Sequence, residues 1–227
     1  MKRLAESGGE RPAVLRLLVA CGAVGPLLFI SVFLIAGATR ADYSAVRHPV
    51  SSLSIGHRGW IQVANFIVTG SLLLAFSAGL RRVLRRHGGW VWGPLLVGLA
   101  GIGLIGAGIF VNDPLNSYPP GTPPVPVERT FHGRLHDLFG IPVFLGLPIA
   151  CLMFSRQFGK WDQRRWAVYS ALSGVAMLAA FVLAAMGFGQ VPRFGDLAGL
   201  FQRLSLAVGF GWIALLAVHV LRDRSRG

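Results

Sequence analysis

Phe131-His132-Gly133-Arg134-Leu135-His136-Asp137-Leu138-Phe139-Gly140 heads an apolar run that continues to Phe154. Wound at 3.6 residues per turn, it puts His132, Gly133, His136, Asp137 and Gly140 on one stripe. Phe131, Leu135, Leu138 and Phe139 take the other side. The run 132–154 is long enough to cross a hydrocarbon core ~30 Å thick, which takes about 20 residues. Two imidazoles and a carboxylate therefore share one face of a membrane helix. Ionisable groups are costly in that setting and mark a functional position by default.

Outward from this stretch the chain keeps the same character. Of 227 residues, 53% are hydrophobic and 14% charged, where a soluble domain carries about 25% charged. The apolar residues come in blocks, at 17–38, 60–80, 93–111, 132–154, 166–187 and 198–221. They predict an all-α, six-helix transmembrane bundle, a single integral-membrane domain over 1–227. The first block ends in Ala36-Gly37-Ala38, which resembles a signal-peptide cleavage site. A signal's apolar core is only ~7–15 residues, so the block reads as a first span kept in the mature protein, kinked at Pro26. Trp60 suits an interfacial anchor and Pro94 the first turn of the third span. Gly98, Gly101, Gly103, Gly106 and Gly108 fit that span for close helix packing. Six prolines between Pro114 and Pro126 keep 112–130 out of regular helix, and Pro142 and Pro148 predict a kink in the fourth span. Cys21 and Cys151 sit inside apolar blocks and read as small buried hydrophobes.

A net charge of +13 would suggest nucleic acid for a soluble protein. Here the basic residues gather between apolar blocks, where they orient the chain and meet anionic headgroups. The partners implied are membrane lipids and not nucleic acid; nothing in the spacing sets an oligomeric state. The amino terminus, 81–86, 156–165 and the tail carry fifteen Lys and Arg. The other side carries seven: Arg40, Arg47, Arg58, Arg129, Arg134, Arg193 and Arg203. The positive-inside rule then places both termini in the cytoplasm of a cell bounded by this plasma membrane.

That topology gathers His48, His57, His132 and His136 at the extracytoplasmic side, with Asp113, Asp137, Asp196, Ser51, Ser52 and Ser54. His87 and His219 fall on the opposite side. Gln202 and Arg203 lie about one turn inside the last span, where an unpaired guanidinium is costly, so Arg203 is expected to meet Asp137 or Asp113. His132 and His136, at i and i+4, have metal-ligand spacing, with Asp137 as a third ligand. The same pair also arises as hydrogen-bonding residues at a helix end. Asp137 near the helix start also complements the helix dipole. Asn112-Asp113-Pro114 reads equally as a helix stop or as part of a site. Ser51-Ser52-Leu53-Ser54, after Pro49, reads as a cap or a short interfacial helix. A nucleophilic serine needs an adjacent base, which spacing does not show.

Five segments, in order, resemble a family of multi-pass bacterial and archaeal membrane proteins known as domain of unknown function 998. They are His48-Pro49-Val50-Ser51-Ser52-Leu53-Ser54, Gly59-Trp60, Asn112-Asp113-Pro114, His132-Gly133-Arg134-Leu135-His136-Asp137 and Gly199-Leu200-Phe201-Gln202-Arg203-Leu204. The resemblance implies a six-helix membrane protein and supplies no activity. A chemical analogy runs to the membrane hydrolases that include alkaline ceramidases, which set Ser, Asp and His at a membrane-level metal site. This chain departs from them in having six spans and in lacking a late His-x-x-x-His.

Three functions compete. In the first, a lipid-directed hydrolase, His132, His136 and Asp137, with Asp113 or His48, hold a divalent metal such as zinc or act as acid and base. A zinc-bound water of pKa ~7 attacks the substrate, while Ser51 or Ser54, with His57, Gln202 and Arg203, orients it. In the second, the rim binds or transports a lipid or amphipathic solute without chemistry, and its histidines titrate. In the third, the polar groups clip the helices together as a scaffold.

Overall fold

Each apolar block winds into a helix, and several helices outrun their blocks through the arginines that follow. The computed structural model describes residues 12–85 and 91–223. Its helices are α1 (Pro12–Ala38), α2 (Gly59–Arg85), α3 (Trp92–Ile109), α4 (Phe131–Ile141), α5 (Leu147–Lys160), α6 (Arg164–Phe188) and α7 (Ala198–Asp223). Lys2, Arg3, Arg11, Arg86, His87, Arg224 and Arg226, which enter the sequence reading, lie outside the described residues. Among the described residues no strand forms. Hydropathy ends at the first charge, yet α2 continues through Arg81, Arg82 and Arg85. Long basic side chains lay their aliphatic stems along a helix and keep their heads in water.

Six helical rods, counting Phe131–Lys160 as one, are long and apolar enough to cross a membrane. The protein is a multi-pass membrane protein. The rods form a closed ring: α1 packs on α2, α2 on α3, α3 on α4 and α5, α5 on α6, α6 on α7, and α7 back on α1. Aromatic rings fill the centre. Phe29 stacks on Phe210 at 4.8 Å and leans on Phe66 at 5.7 Å, while Phe154 meets Trp212 edge-on at 5.4 Å. The glycines of α3 are packing residues: a Cβ on Gly101 would stand 2.7 Å from the Gly70 carbonyl oxygen of α2, so only bare backbone fits there. Cys151 is buried, as a small hydrophobe would be, whereas Cys21 is half-buried.

The fourth span is broken where its prolines fall. Between α4 and α5, residues Pro142–Gly146 form a turn of π-helix. Pro142 and Pro148 each withdraw the N–H that an α-helical turn would use, and the ladder widens between them. Below the break α5 packs along α6. Above it α4 packs on α3 and makes no comparable interface with α6. The ring is therefore sealed at its basic end and parted between α4 and α6 at the other, which we call the loop end.

The connections at the loop end are pinned to one another. Of the two readings for the segment after Pro49, a cap or a short helix, Val50–Ser54 takes the second, as a 3₁₀ helix. Asn116, fully buried in the proline-rich connection, donates to the carbonyls of Arg47 at 2.7 Å and Gly195 at 3.1 Å, and accepts from Gln190. One side chain thus joins three loops. Arg203 does not meet Asp137 or Asp113. Its guanidinium donates to the carbonyls of His48 and Gly199, each at 3.0 Å, and to the Tyr43 hydroxyl. It also lies over the rings of Tyr43 at 5.5 Å and Phe33 at 5.8 Å. The reason is backbone proximity: a Cβ at Gly199 would stand 2.4 Å from the His48 carbonyl oxygen, so the loop sits directly on α7. Carbonyl and aromatic partners take the place of a carboxylate.

Candidate functional site

His136 is the buried imidazole of α4, 9% exposed, and it faces the end of α3. Its Nδ1 lies 2.8 Å from the Phe110 carbonyl oxygen and 3.1 Å from that of Ala107. Carbonyls only accept, so Nδ1 carries the hydrogen, and in the neutral form of the ring Nε2 is left as an acceptor. The imidazole thereby satisfies carbonyls that the last turn of α3 leaves without a helical partner.

Asp113 prepares the other end of α4. Its Oδ1 accepts from the Thr130 hydroxyl at 2.6 Å and its Oδ2 from the Thr130 N–H at 3.1 Å. The Thr130 hydroxyl in turn accepts from the Gly133 N–H at 3.0 Å, capping the helix. A Cβ at Gly133 would stand 2.1 Å from Asp113 Oδ2, so glycine is what lets the carboxylate rest on the first turn. The carboxylate that complements this helix dipole is thus Asp113, not Asp137, which lies a turn further in. Asp137 instead pairs with Arg129 at 3.1 Å, both side chains partly exposed.

These groups rim a cavity of about 460 Å³ under the parted α4–α6 seam. Ser51, Asn112, Asp113, Arg129, Asp137 and Gln202 supply polar lining, and His136 borders it from α4. Further down the helices the lining is apolar, from Ile141, Phe144, Leu145, Phe181 and Ala185. Phe144 and Phe181 stack at 4.5 Å and pinch the seam where the π-turn begins to close it. A smaller recess of about 40 Å³ shares Ser51, His136, Gly140, Phe144 and Gln202 with the cavity and leads inward to Phe29, Phe66 and Leu206. Ile141 and Leu145 line the cavity yet are 49% and 40% exposed, so it opens sideways through the seam.

The family described as Protein of unknown function (DUF998) matches residues 23–219, most of the chain. The chain belongs to the DUF998 family. No curated protein and no solved structure matches it.

In this DUF998 chain the sequence-based candidates divide into two groups. Ser51, Asp113, His136, Asp137 and Gln202 come together at the cavity. His132, although i−4 from His136, is exposed and edge-on to Phe110 at 5.7 Å. The metal trio His132, His136 and Asp137 does not gather round a point. Among the described residues no group of three His, Cys, Asp or Glu side chains does. α3 docks against α4 through His136 and through Phe139, which stacks on Phe110, so that Asp137, Gly140 and one side of His136 are left to the cavity while His132 is not. Ser54 turns into the bundle, donating to the Ser51 carbonyl at 2.6 Å and to Asn112 Oδ1 at 3.3 Å. His57 is exposed on its loop.

His48 is buried in a separate cluster with Tyr43 and Tyr118, beside Arg203. Its Nδ1 accepts from the Ser44 N–H at 2.9 Å. Burial, and then the cations of Arg47 and Arg203, hold its pKa below the ordinary imidazole value. Burial likewise raises the Tyr43 phenol, although Arg203 opposes it. Residues the sequence reading passed over are Arg129, Phe144 and Phe181. Arg129 carried one available signal, its place just before the N-cap Thr130, but nothing in the spacing linked it to Asp137.

Proposed function

We propose that the protein binds an amphipathic molecule taken sideways from the membrane, with its head at the polar rim and its chain along the apolar lining between α4 and α6. The observation that carries this reading is the cavity's composition along its length. One continuous space of about 460 Å³ runs from carboxylates and a guanidinium to phenylalanines and opens towards lipid. Ligand cavities are typically about 300–1,000 Å³ and join an apolar body to a few placed polar groups. With both termini cytoplasmic by the positive-inside rule, the ligand comes from the outer leaflet of the plasma membrane.

The hydrolytic alternative asks more of the rim than its geometry offers. His136 is committed through Nδ1 to the end of α3, and His132 stands apart from it. Binding needs only the shape and polarity already described.

Ala185 is exposed and lines the cavity, so Ala185→Trp fills the seam without disturbing the ring's interior. Native mass spectrometry of the purified protein in mild detergent tests the reading. Wild type is expected to retain a lipid-sized adduct and A185W to lose it at unchanged thermal stability. Equal adducts on both proteins, or none on either, would overturn the reading.

A further inference from the structure

The rim holds two carboxylates, Asp113 and Asp137, against one guanidinium, Arg129. Asp113 is 5% exposed and held by Thr130, so its carboxylate is a fixed part of the mouth. Arg203, the buried cation nearest in sequence to Gln202, is turned away into the Tyr43 cluster and does not line the cavity. An anionic head without a positive group therefore meets an unfavourable field.

The arrangement also contains a matched pair of opposite charges. Arg129 and Asp137 face each other at 3.1 Å and are 39% and 54% exposed. A half-exposed pair of this kind is weak because water screens it and both side chains must be held in place. A headgroup with its own adjacent opposite charges can replace it charge for charge. Acceptors lie beside the carboxylates: a neutral His136, donating through Nδ1 to α3, keeps Nε2 as an acceptor, and the Ser51 hydroxyl can also accept.

Resting on the binding reading above, we infer that the cavity selects a zwitterionic lipid headgroup carrying a phosphate and a primary ammonium. The phosphate meets Arg129 and the ammonium meets Asp137, with Asp113 adding to the attraction. A primary ammonium supplies three N–H donors to these acceptors. A trimethylated ammonium supplies none, and its usual recognition is by aromatic cages.

The test uses the full chain in nanodiscs or mild detergent, titrated with three lipids of identical acyl chains and different heads: phosphoethanolamine, phosphocholine and phosphoglycerol. Native mass spectrometry reads the retained fraction of each. Preference for the phosphoethanolamine lipid by several-fold over both others is expected, and D137N should reduce that preference to near parity with phosphoglycerol. Asp137 is an exposed side chain, and the wild-type comparison stands even if the variant is unstable. Equal retention of all three lipids, or preference for phosphoglycerol or phosphocholine, would overturn the headgroup inference and leave the cavity reading standing. Retention of none would remove both.

Discussion

Asp113 and Thr130 hold the mouth of the cavity through one chain of bonds, carboxylate to hydroxyl to the Gly133 N–H. Thr130→Ala removes the cap and should cost about 0.5–2 kcal/mol. Asp113→Ala removes both acceptors of Thr130, an exposed residue whose donors can turn to water, and should cost about 0.5–1.5 kcal/mol. Because the two act on one network, the double variant should cost clearly less than the sum, which thermal or denaturant unfolding in detergent measures. His48 gives a pH prediction. Its folded pKa lies below the unfolded value of ~6.5, so the unfolded chain binds the extra proton first. The stability that neutral His48 contributes is complete above that value and is lost as pH falls from it towards the folded pKa. Melting temperatures between pH 7 and 5 should fall less steeply in His48→Gln than in wild type. A parallel fall in both would show that His48 does not titrate on unfolding. The roles of these residues were only half legible in the sequence. Asp113 was visible beside a helix stop, but its partner Thr130 is reached through space, across a loop with no regular structure. Arg203 illustrates the same limit: its need for a partner was plain, but the choice between a carboxylate and two carbonyls depended on a contact 155 residues away.

At the scale of the element, the π-turn at Pro142–Gly146 decides whether the seam is open. The prolines announced a break, and the hydropathy blocks announced the spans, because both are local properties that need no tertiary information. The direction of the break was not local. It depends on α3 capturing α4 through Phe139 and His136, while α5 stays with α6. Replacing Pro142 by Ala returns an N–H to the ladder and should straighten the rod, bringing α4 towards α6. Spin labels at Leu138 and Val182, both exposed, read that separation directly. A shorter distance in P142A, together with weaker lipid retention, is the expected outcome. An unchanged distance would mean that the seam is held open by the loops and not by the π-turn.

The whole molecule is a ring of six spans closed at one end and parted at the other, with its polar groups sorted accordingly. The positive-inside topology predicts a single extracytoplasmic rim. At the loop end the structure has two assemblies: the rim cavity, and the Arg203–Tyr43–His48 cluster that fastens the loops over α7. Side chains that share a membrane level need not share a pocket, since a ring of helices offers several inward faces at each depth. On the binding reading proposed above, lipid enters at the α4–α6 seam. The most direct measurement is photocrosslinking with a lipid carrying a diazirine in its acyl chain, followed by peptide mapping. Labelling concentrated on 141–145 and 181–188, and suppressed in A185W, is the predicted result. Labelling spread evenly over the exposed faces of α1, α3 and α6, indifferent to that substitution, would contradict the account.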